Sequence, residues 1–259
     1  MKFSDYKTRY ENVELARNDG VLEIQMHTDG KEALWGTTDR DLHAELSHLF
    51  SDIARDEENR VIIITGTGDS FITSMNRERK PAEKSAVEYF ARIYREAVAL
   101  LENLLAIPVP VIGAVNGPAL IHAELALFSD IVLAADHAEF ADIAHVTAGV
   151  VPGDGVQCIW PMLLGPNRAR YFLLTGQRIS AREALTLGLV SEVMPLPDLL
   201  PRARELATLL LKNSPIMLRH TRMVFTRPFR KKLREDLELG LASEMLALLE
   251  RGEIVGFKS

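Results

Sequence analysis

The sequence predicts an α/β fold in which helices cover a parallel sheet, followed by a mainly helical C-terminal part. Three continuously apolar runs rich in β-branched residues, 61–68, 109–115 and 130–135, have the pattern of strands buried on both faces. Segments of helical periodicity lie between these runs, and the connections are short, which is typical of helices that cross over a parallel sheet. From residue 167 onward helical segments predominate.

The remaining elements follow from local patterns. A β-hairpin is predicted over 13–26, because alternating apolar positions are interrupted by the turn-forming triplet Asn18-Asp19-Gly20. Thr37 and Thr38 are expected to cap a helix whose apolar residues recur at helical spacing as far as Ile53. Further helices are predicted at 85–106, 119–128, 167–175, 180–188, 199–212, 215–225 and 229–250, with a short extended piece at 189–195.

Composition limits the possible partners. With 259 residues, of which 47% are hydrophobic, the chain can build a packed core, and its net charge of −6 argues against nucleic acid or an anionic membrane as partner. A basic cluster between Arg219 and Arg234 is expected to be a solvated helix face, with a phosphate site as the less favoured alternative.

Cysteine usage and the N-terminal sequence indicate the compartment. The single cysteine, Cys158, excludes an internal disulfide and a cysteine-rich metal site, which fits a reducing environment. No apolar run approaches the roughly 20 residues of a membrane span, and MKFSDYKTRYENVE lacks the apolar segment of a secretory signal. We therefore expect a cytoplasmic protein.

An apolar stripe runs along the last predicted helix. Its members are Leu233, Leu237, Leu241, Met245 and Leu248. Helices that follow a completed core often bury such a stripe against a partner subunit, so we predict a homo-oligomer. Packing of the stripe within the same chain is the alternative.

His145 and Asp154 lie in a segment that must bend. The stretch between them contains Gly149, Pro152 and Gly153, so it cannot continue as helix and can return the carboxylate to the imidazole. An Asp held against an imidazole makes the His a usable general base near neutral pH. The pattern alone describes equally well a hydrogen-bonded core histidine beside a turn-forming Asp, which is the commoner arrangement.

The order of elements and three segments resemble the crotonase, or enoyl-CoA hydratase/isomerase, superfamily over nearly the whole chain. The segments are VIIITGTGDSF at 61–71, VPVIGAVNGPAL at 109–120 with ELALFSDIVLAAD at 124–136, and GVVPGDG at 149–155 with the run that follows it. The resemblance implies a crotonase-like spiral of ββα turns over 1–195 and a helical trimerisation region over 196–259. It also implies a trimer or dimer of trimers, and a site where two backbone N–H groups stabilise an oxyanion.

The departures from the family pattern concern the residues that would bind a thioester. The usual Gly-rich triplet is replaced by the shorter loop 120–124, and FITSMN at 71–76 stands where hydratases have a small-residue motif ending in Asp. Neither backbone donor of the usual oxyanion hole is therefore expected to be intact. His145 occupies the position of one hydratase glutamate, and Glu124 that of the other, where we expect it to be structural.

These replacements are similar to those of the β-diketone hydrolases, a branch of the superfamily. The branch uses no CoA and cleaves the carbon–carbon bond between two carbonyls by a retro-Claisen reaction. Positions of its site are matched by His122, His145, Asp154, Glu244 and Trp35, whereas Ala123 and Ala144 replace flanking prolines. The resemblance implies an enzyme without cofactor or metal that takes a small-molecule diketone and gives a keto acid.

Each of these residue types fits a step of that reaction. His145 is the candidate base that deprotonates water, with Asp154 as its orienter. His122 precedes a predicted helix whose dipole disfavours an imidazolium, so it is expected to be a neutral N–H donor to a substrate oxygen. Trp35 could donate its indole N–H or belong simply to the core, and Glu244 could join the site or face solvent.

Other functions remain open at this point. The first is an acyl-CoA hydratase, isomerase or thioester hydrolase with an unusual histidine, which would bind CoA through basic residues. A variant of it would use Asp154 as a covalent nucleophile, as dehalogenases of the superfamily do. The last is a non-catalytic binding subunit, because a shared fold does not guarantee chemistry.

Overall fold

The computed structural model describes residues 1–251. Its strands are β1 Val13–Asn18, β2 Val21–Met26, β3 Val61–Gly66, β4 Val111–Val115, β5 Ile131–Ala135, β6 Glu139–Phe140, β7 Ile179–Ser180 and β8 Glu192–Met194. Its helices are α1 Leu42–Arg55, α2 Ala86–Ala106, α3 Glu124–Leu127, α4 Val156–Leu164, α5 Pro166–Thr175, α6 Ala181–Leu187, α7 Leu196–Leu211 and α8 Pro215–Glu250. The predicted α/β class is confirmed.

The main sheet has six strands in the order β1-β2-β3-β4-β5-β8. The predicted hairpin is present, since β1 and β2 pair antiparallel across the Asn18–Val21 turn, and every other pair in this sheet is parallel. The short strands β6 and β7 form a separate antiparallel pair. Hydrogen bonds from Ala119 N–H to Glu139 O and from Ala141 N–H to Ala119 O tie this pair to the segment after β4.

Alternate residues of the parallel strands face two different cores, as the continuously apolar runs predict. Ile62 and Ile64 belong to the larger core, which also holds the buried faces of α1, α2 and α4. Val61 and Ile63 face the other side, where α7 packs with Leu199, Ala203 and Ala207. The helices therefore cover both faces of the sheet.

Several predicted helix boundaries are wrong for local physical reasons. Thr37 and Thr38 do not cap α1: the N-cap is Asp41, whose carboxylate instead accepts hydrogen bonds from the backbone N–H and hydroxyl of Thr38. The helix predicted at 119–128 is limited to the four residues of α3, because Ala119, Leu120 and Ile121 hydrogen-bond to other segments. α4 was not predicted, since the Gly/Pro-rich sequence before it and its own Pro161 mask the helical pattern.

The two helices predicted at 215–225 and 229–250 are one continuous helix, α8. Pro228 lies within it and removes one backbone donor, which is normally destabilising in a helix interior. Val224, four residues earlier, has a side chain that is 65% exposed, so the carbonyl without an intrahelical donor lies on the solvent side of the helix. The proline is therefore tolerated without a break.

The apolar stripe on α8 packs within the chain, so its assignment to a partner subunit is wrong. Leu233, Leu237 and Leu241 are buried in the larger core, and Met245 and Leu248 line a cavity described below. The intramolecular alternative holds for Leu233, Leu237 and Leu241, whereas Met245 and Leu248 are half-buried at the cavity. The stripe therefore does not support a homo-oligomer, which stays a prediction.

One member of the basic cluster, Arg222, has a structural function. Its guanidinium is buried, donates to the backbone carbonyls of Leu104 and Ile107, and pairs with the Asp130 carboxylate. Burial lowers the pKa of Arg222, and the charge of Asp130 opposes that effect. Arg222 thus fastens α8 to the end of α2 and to the turn before β5, and it is not available to a phosphate.

The predicted division at residue 195 remains a prediction, and residues 252–259 of the predicted trimerisation region lie outside the described residues. α7 and α8 both pack on elements that precede this boundary. Within residues 1–251, no helix has the length and hydropathy of a membrane-crossing segment.

Candidate active site

The segment between β4 and α3 presents His122. The backbone N–H groups of Leu120 and Ile121 both donate to the carbonyl of Ile72, which holds the segment against the strand-like stretch after β3. His122 follows with φ of 50°, a left-handed conformation that costs a residue with a Cβ about 1 kcal/mol or more. Such strain persists only where the surroundings impose it, and here it directs the imidazole toward a cavity.

Two carboxylates hold the His122 ring. Its Nδ1 contacts Oε1 of Glu124, a fully buried residue at the start of α3. Its Nε2 lies 3.4 Å from Oδ2 of Asp154. Glu124 therefore positions His122, and its expected structural function stays a prediction.

His145 has the same arrangement. Its Nδ1 lies 2.7 Å from Oδ1 of Asp142, and both side chains are about 4% exposed. Its Nε2 lies 3.3 Å from Oδ2 of Asp154 and 4.0 Å from Oε1 of Glu244. One oxygen of Asp154 thus faces the Nε2 atoms of both histidines.

A close approach of two backbones brings Asp154 and Glu244 together. Gly153 packs on Gly240 of α8, and a Cβ at Gly153 would overlap the Gly240 carbonyl oxygen. Gly155 has φ of 111°, which favours glycine and turns the chain into α4. Because Glu244 lies one helical turn after Gly240, its side chain comes beside that of Asp154.

Trp35 forms the wall behind His122. The two rings stack with centroids 3.7 Å apart and planes tilted by 34°, and the indole is 2% exposed. On its other side Trp35 meets His43 edge to face at 5.7 Å. The Nδ1 atom of His43 lies 3.0 Å from the Glu96 carboxylate, so the stack rests on a further paired imidazole.

These side chains border one cavity of about 500 Å³. Its opposite wall comes from α2 and α8 and is apolar, with Phe90, Ile93, Tyr94, Leu241, Met245 and Leu248. Arg77 and Arg251 also line the cavity. An apolar pocket with a few convergent polar groups is the usual form of a small-molecule site.

The carboxylates decide the protonation of the histidines. Burial alone would lower the pKa of His145, but the charge of Asp154 and the hydrogen bond to Asp142 raise it well above the ordinary value. The pKa of His122 is also raised, because Glu124 and Asp154 more than offset its burial. The helix-dipole argument for a neutral His122 is weak, because α3 has only four residues and the carboxylates act in the opposite direction. The neutral form of His122 stays a prediction.

Glu244 and Asp154, two neighbouring acids of the cluster, have pKa values shifted in opposite directions. Burial raises the pKa of Glu244 to about 8, and the charge of Asp154 adds to this effect. Burial also opposes ionisation of Asp154, but the charges of His145 and His122 outweigh it, so that the pKa of Asp154 is lowered. At neutral pH the site therefore holds an ionised Asp154 beside a protonated Glu244.

The cluster has the donor types of a metal site. His122, Glu124 and Asp154 form one group, and His145, Asp154 and Glu244 another, each with ligand atoms within 4.8 Å of one another. With this spacing of nitrogen and oxygen ligands, either group could hold a metal ion. All four imidazole nitrogens already face carboxylate oxygens, and this pairing also accounts for the arrangement. The expectation that the site needs no metal stays a prediction.

All five predicted site residues meet at the cavity: Trp35, His122, His145, Asp154 and Glu244. Asp142 occupies the Nδ1 side of His145 and Asp154 faces Nε2, so the orienting function of Asp154 stays a prediction. Asp142 was missed. The only sequence signal for it is an Asp three residues before the histidine, in DIAH.

The family model for enoyl-CoA hydratase/isomerase matches residues 16–247, which is most of the chain. The protein belongs to this family, that is, to the crotonase superfamily, whose members are enzymes.

Individual relatives carry different names. The chain is 35% identical over 206 residues to a putative enoyl-CoA hydratase/isomerase of Bacillus subtilis, covering 78% of this chain and 76% of that one. It is 33% identical over 209 residues to the carnitinyl-CoA dehydratase of Escherichia coli K12, covering 80% and 77%.

Among solved structures, a β-diketone hydrolase from the cyanobacterium Anabaena, bound to (S)-3-oxocyclohexyl acetic acid, is 39% identical. It superposes with a TM-score of 0.89 over 95% of this chain and 98% of that one. An enoyl-CoA hydratase/isomerase from Mycobacterium paratuberculosis is 27% identical, with a TM-score of 0.83 over 92% and 94%.

Proposed function

We propose that this protein is a β-diketone hydrolase that needs no cofactor and cleaves the carbon–carbon bond between two carbonyls to give a keto acid. The observation that carries the proposal is the pair of carboxylate-held histidines, His122 and His145, directed at one apolar cavity. One imidazole can serve the attacking water while the other serves a carbonyl oxygen. The similarity to the Anabaena β-diketone hydrolase, whose bound ligand is itself a keto acid, supports it.

The first step is attack of water on one carbonyl carbon. His145 accepts the water proton at Nε2, so the active form is the one in which this nitrogen has no proton. General-base assistance of this kind contributes about 10²- to 10⁴-fold. Asp154, ionised and beside the same Nε2, then stabilises the imidazolium that forms.

The second step breaks the carbon–carbon bond. The tetrahedral alkoxide collapses to a carboxylic acid, and the bonding electron pair passes to the second carbonyl as an enolate. His122 donates a hydrogen bond to one of these oxygens, with Trp35 as a second candidate donor; a well-placed donor contributes about 10²- to 10³-fold. The His145 imidazolium returns its proton to the enolate carbon, which leaves the keto acid and restores the base.

Two backbone amides of the loop 120–124 are already paired, which disfavours thioester binding through them. The amides of Leu120 and Ile121 already donate to Ile72 and are not free to bind a substrate oxygen. The apolar wall of the cavity suits a hydrocarbon ring bearing two carbonyls.

The test is turnover of a panel of bicyclic diketones and substituted cyclohexane-1,3-diones, followed by loss of diketone absorbance and by mass analysis of the acid formed. We expect hydrolysis that persists after treatment with a chelator. No loss of diketone from any member of the panel would overturn the proposal.

Replacement of the base gives a direct check. We predict that His145→Ala lowers kcat by about 10²-fold or more, since the water proton then has no acceptor. The matched control is His220→Ala, which removes an exposed histidine of α8. Turnover of His145→Ala at the wild-type rate would remove His145 from this function.

Acyl-CoA chemistry is the second candidate, because two relatives are named as an enoyl-CoA hydratase/isomerase and a carnitinyl-CoA dehydratase. Calorimetry with CoA and acetyl-CoA separates the two candidates. We expect no binding to the diketone hydrolase proposed here, whereas a hydratase, isomerase or thioester hydrolase would bind the nucleotide portion and turn over an acyl-CoA.

A further inference from the structure

We infer that Asp142 is the positioning residue of His145, acting through its Nδ1 atom on the reaction proposed above. The carboxylate lies 2.7 Å from Nδ1, within the range of a charge-assisted hydrogen bond. A carboxylate without a proton accepts only, so this contact places a proton on Nδ1 and leaves Nε2 as the atom that can act as a base. Asp142 does not line the cavity and therefore acts through the imidazole alone.

The hydrogen bonding of Asp142 distinguishes it from a carboxylate that merely supports the fold. Burial of a carboxylate is costly, and those with structural functions are usually well satisfied. Glu45, for example, accepts from the backbone N–H groups of Glu11 and Asn12 and from the Asn12 side chain. Asp142 makes one hydrogen bond among the described residues, to His145, and its Oδ2 is buried without a partner.

The surrounding backbone fixes this geometry. Asp142 directly follows Ala141, whose N–H donates to Ala119, and it directly precedes Ile143, whose N–H donates to Leu120. The chain then bends at Ala144 and His145, just before the 3-10 turn at Val146–Ala148, and His145 meets Asp142 three residues away. The pair is thus held on the same segment that supports the loop of His122.

Three carboxyl groups and one imidazole surround His145 and set its pKa. Asp142 contacts Nδ1, Asp154 and Glu244 lie beside Nε2, and the charge of His122 acts from the other side of Asp154. Removal of the Asp142 charge leaves the imidazolium with one anionic neighbour fewer, so the pKa of His145 falls. The proton on Nδ1 is then no longer fixed, and part of the population has the tautomer in which Nε2 is not a base.

The test replaces Asp142 by Asn, which keeps the shape and removes the charge. We expect kcat for the diketone to fall by about 10²- to 10⁴-fold with KM changed little, because the residue does not touch the substrate. The rise of kcat/KM with pH should move to lower pH. Asp142→Glu, which restores the charge on a longer side chain, should recover part of kcat, and it serves as the second variant if Asp142→Asn does not fold.

A readout without turnover separates this inference from the proposed function. NMR of protein labelled with ¹⁵N in its histidines reports the titration and tautomer of His145, whose signals are assigned by their loss in His145→Ala. We expect Asp142→Asn to lower that pKa and to weaken the Nδ1–H signal, whether or not any diketone is hydrolysed. Absence of hydrolysis by the wild-type protein would overturn only the proposed function.

The matched control is Asp136→Asn. Asp136 and His137 form an exposed Asp–His pair that lies shortly before Asp142 in the sequence. It should leave kcat and the His145 titration unchanged. Wild-type kcat together with an unshifted His145 titration in Asp142→Asn would overturn the inference, as would an equal effect of the control.

Discussion

At the scale of single residues, the site depends on how charge is shared between four carboxyl groups and two imidazoles. Asp142 and Glu124 each hold one ring at Nδ1, and Asp154 faces both rings at Nε2. A carboxyl group between two protonated imidazoles ionises more readily, and its negative charge in turn raises the pKa of each imidazole. The six groups therefore titrate together, and the number of protons they share sets the pH at which His145 can act as a base.

We expect kcat/KM to rise with pH, at a pH above the ordinary pKa of histidine. A general base works only without its proton, so kcat/KM increases as the pH passes upward through the pKa of His145. Because Asp154 and Asp142 raise that pKa, we predict a rise centred above 6.5, the ordinary value for histidine. A pH–rate profile of the wild-type enzyme measures it, and a rise centred at or below 6.5 would contradict the prediction.

Glu244 should act as a neutral acid at neutral pH. Its pKa of about 8 keeps it protonated there, where it can donate to a substrate oxygen or to Asp154. We predict that Glu244→Gln, an uncharged replacement of similar shape, retains kcat near pH 7 and loses the pH dependence near 8. The control is Glu250→Gln, exposed at the end of the same helix. A large loss of kcat at pH 7 in Glu244→Gln alone would show that the ionised carboxylate is needed.

At the scale of elements, the site depends on the contact between α8 and the turn before α4. Gly153 and Gly240 pack backbone against backbone, and this contact sets Glu244 beside Asp154. Arg222 fixes the same helix at a second point, on the carbonyls at the end of α2. α8 is thus both a cover for the core and a wall of the cavity.

Gly240→Ala tests this contact. The change improves helix propensity by about 1 kcal/mol, but the new Cβ would overlap the Gly153 carbonyl oxygen and Nε2 of Gln157. Overpacking of this kind costs about 1–3 kcal/mol, so we predict net destabilisation, with about 2–4 °C lost in Tm per kcal/mol, and reduced kcat. Ala242→Ser, at an exposed position of α8, should change neither, and equal Tm values for both variants would contradict the prediction.

The elements that could be predicted from the sequence are those whose pattern is local. β3 and β4 are continuously apolar, and the β1–β2 turn has its own signature, so both were placed correctly. The continuity of α8 through Pro228 depends on which side of the helix faces solvent, and this is a tertiary property. The same holds for the intramolecular burial of Leu237.

The candidate site divides in the same way. His145 and Asp154 could be predicted to meet, because glycines and a proline between them force a bend. The sequence could not tell which imidazole nitrogen each carboxylate faces, since that depends on the ring orientation within the folded segment. Asp142 was missed for this reason, although it lies only three residues from His145.

At the scale of the whole molecule, exposed apolar side chains remain after the core is complete. In the first half of α8 they include Met217, Val224 and Phe225, which are 44%, 65% and 62% exposed. At 3.6 residues per turn these three lie within about 100° of the helix circumference. Single exposed apolar residues are common, but several on one helix face mark an interaction surface. Burial of this surface between copies of the chain would remove these side chains from water.

We therefore predict a homo-oligomer that depends on this part of α8 and not on the buried stripe of Leu233, Leu237 and Leu241. Size-exclusion chromatography with light scattering should give a mass three or six times that of the chain. Phe225→Glu, which places a charge in the surface, should lower the mass toward that of one chain without unfolding it. Leu209→Glu, at an exposed apolar residue of α7, should leave the mass unchanged. A monomeric wild-type protein, or dissociation by both variants alike, would contradict the assignment of this surface.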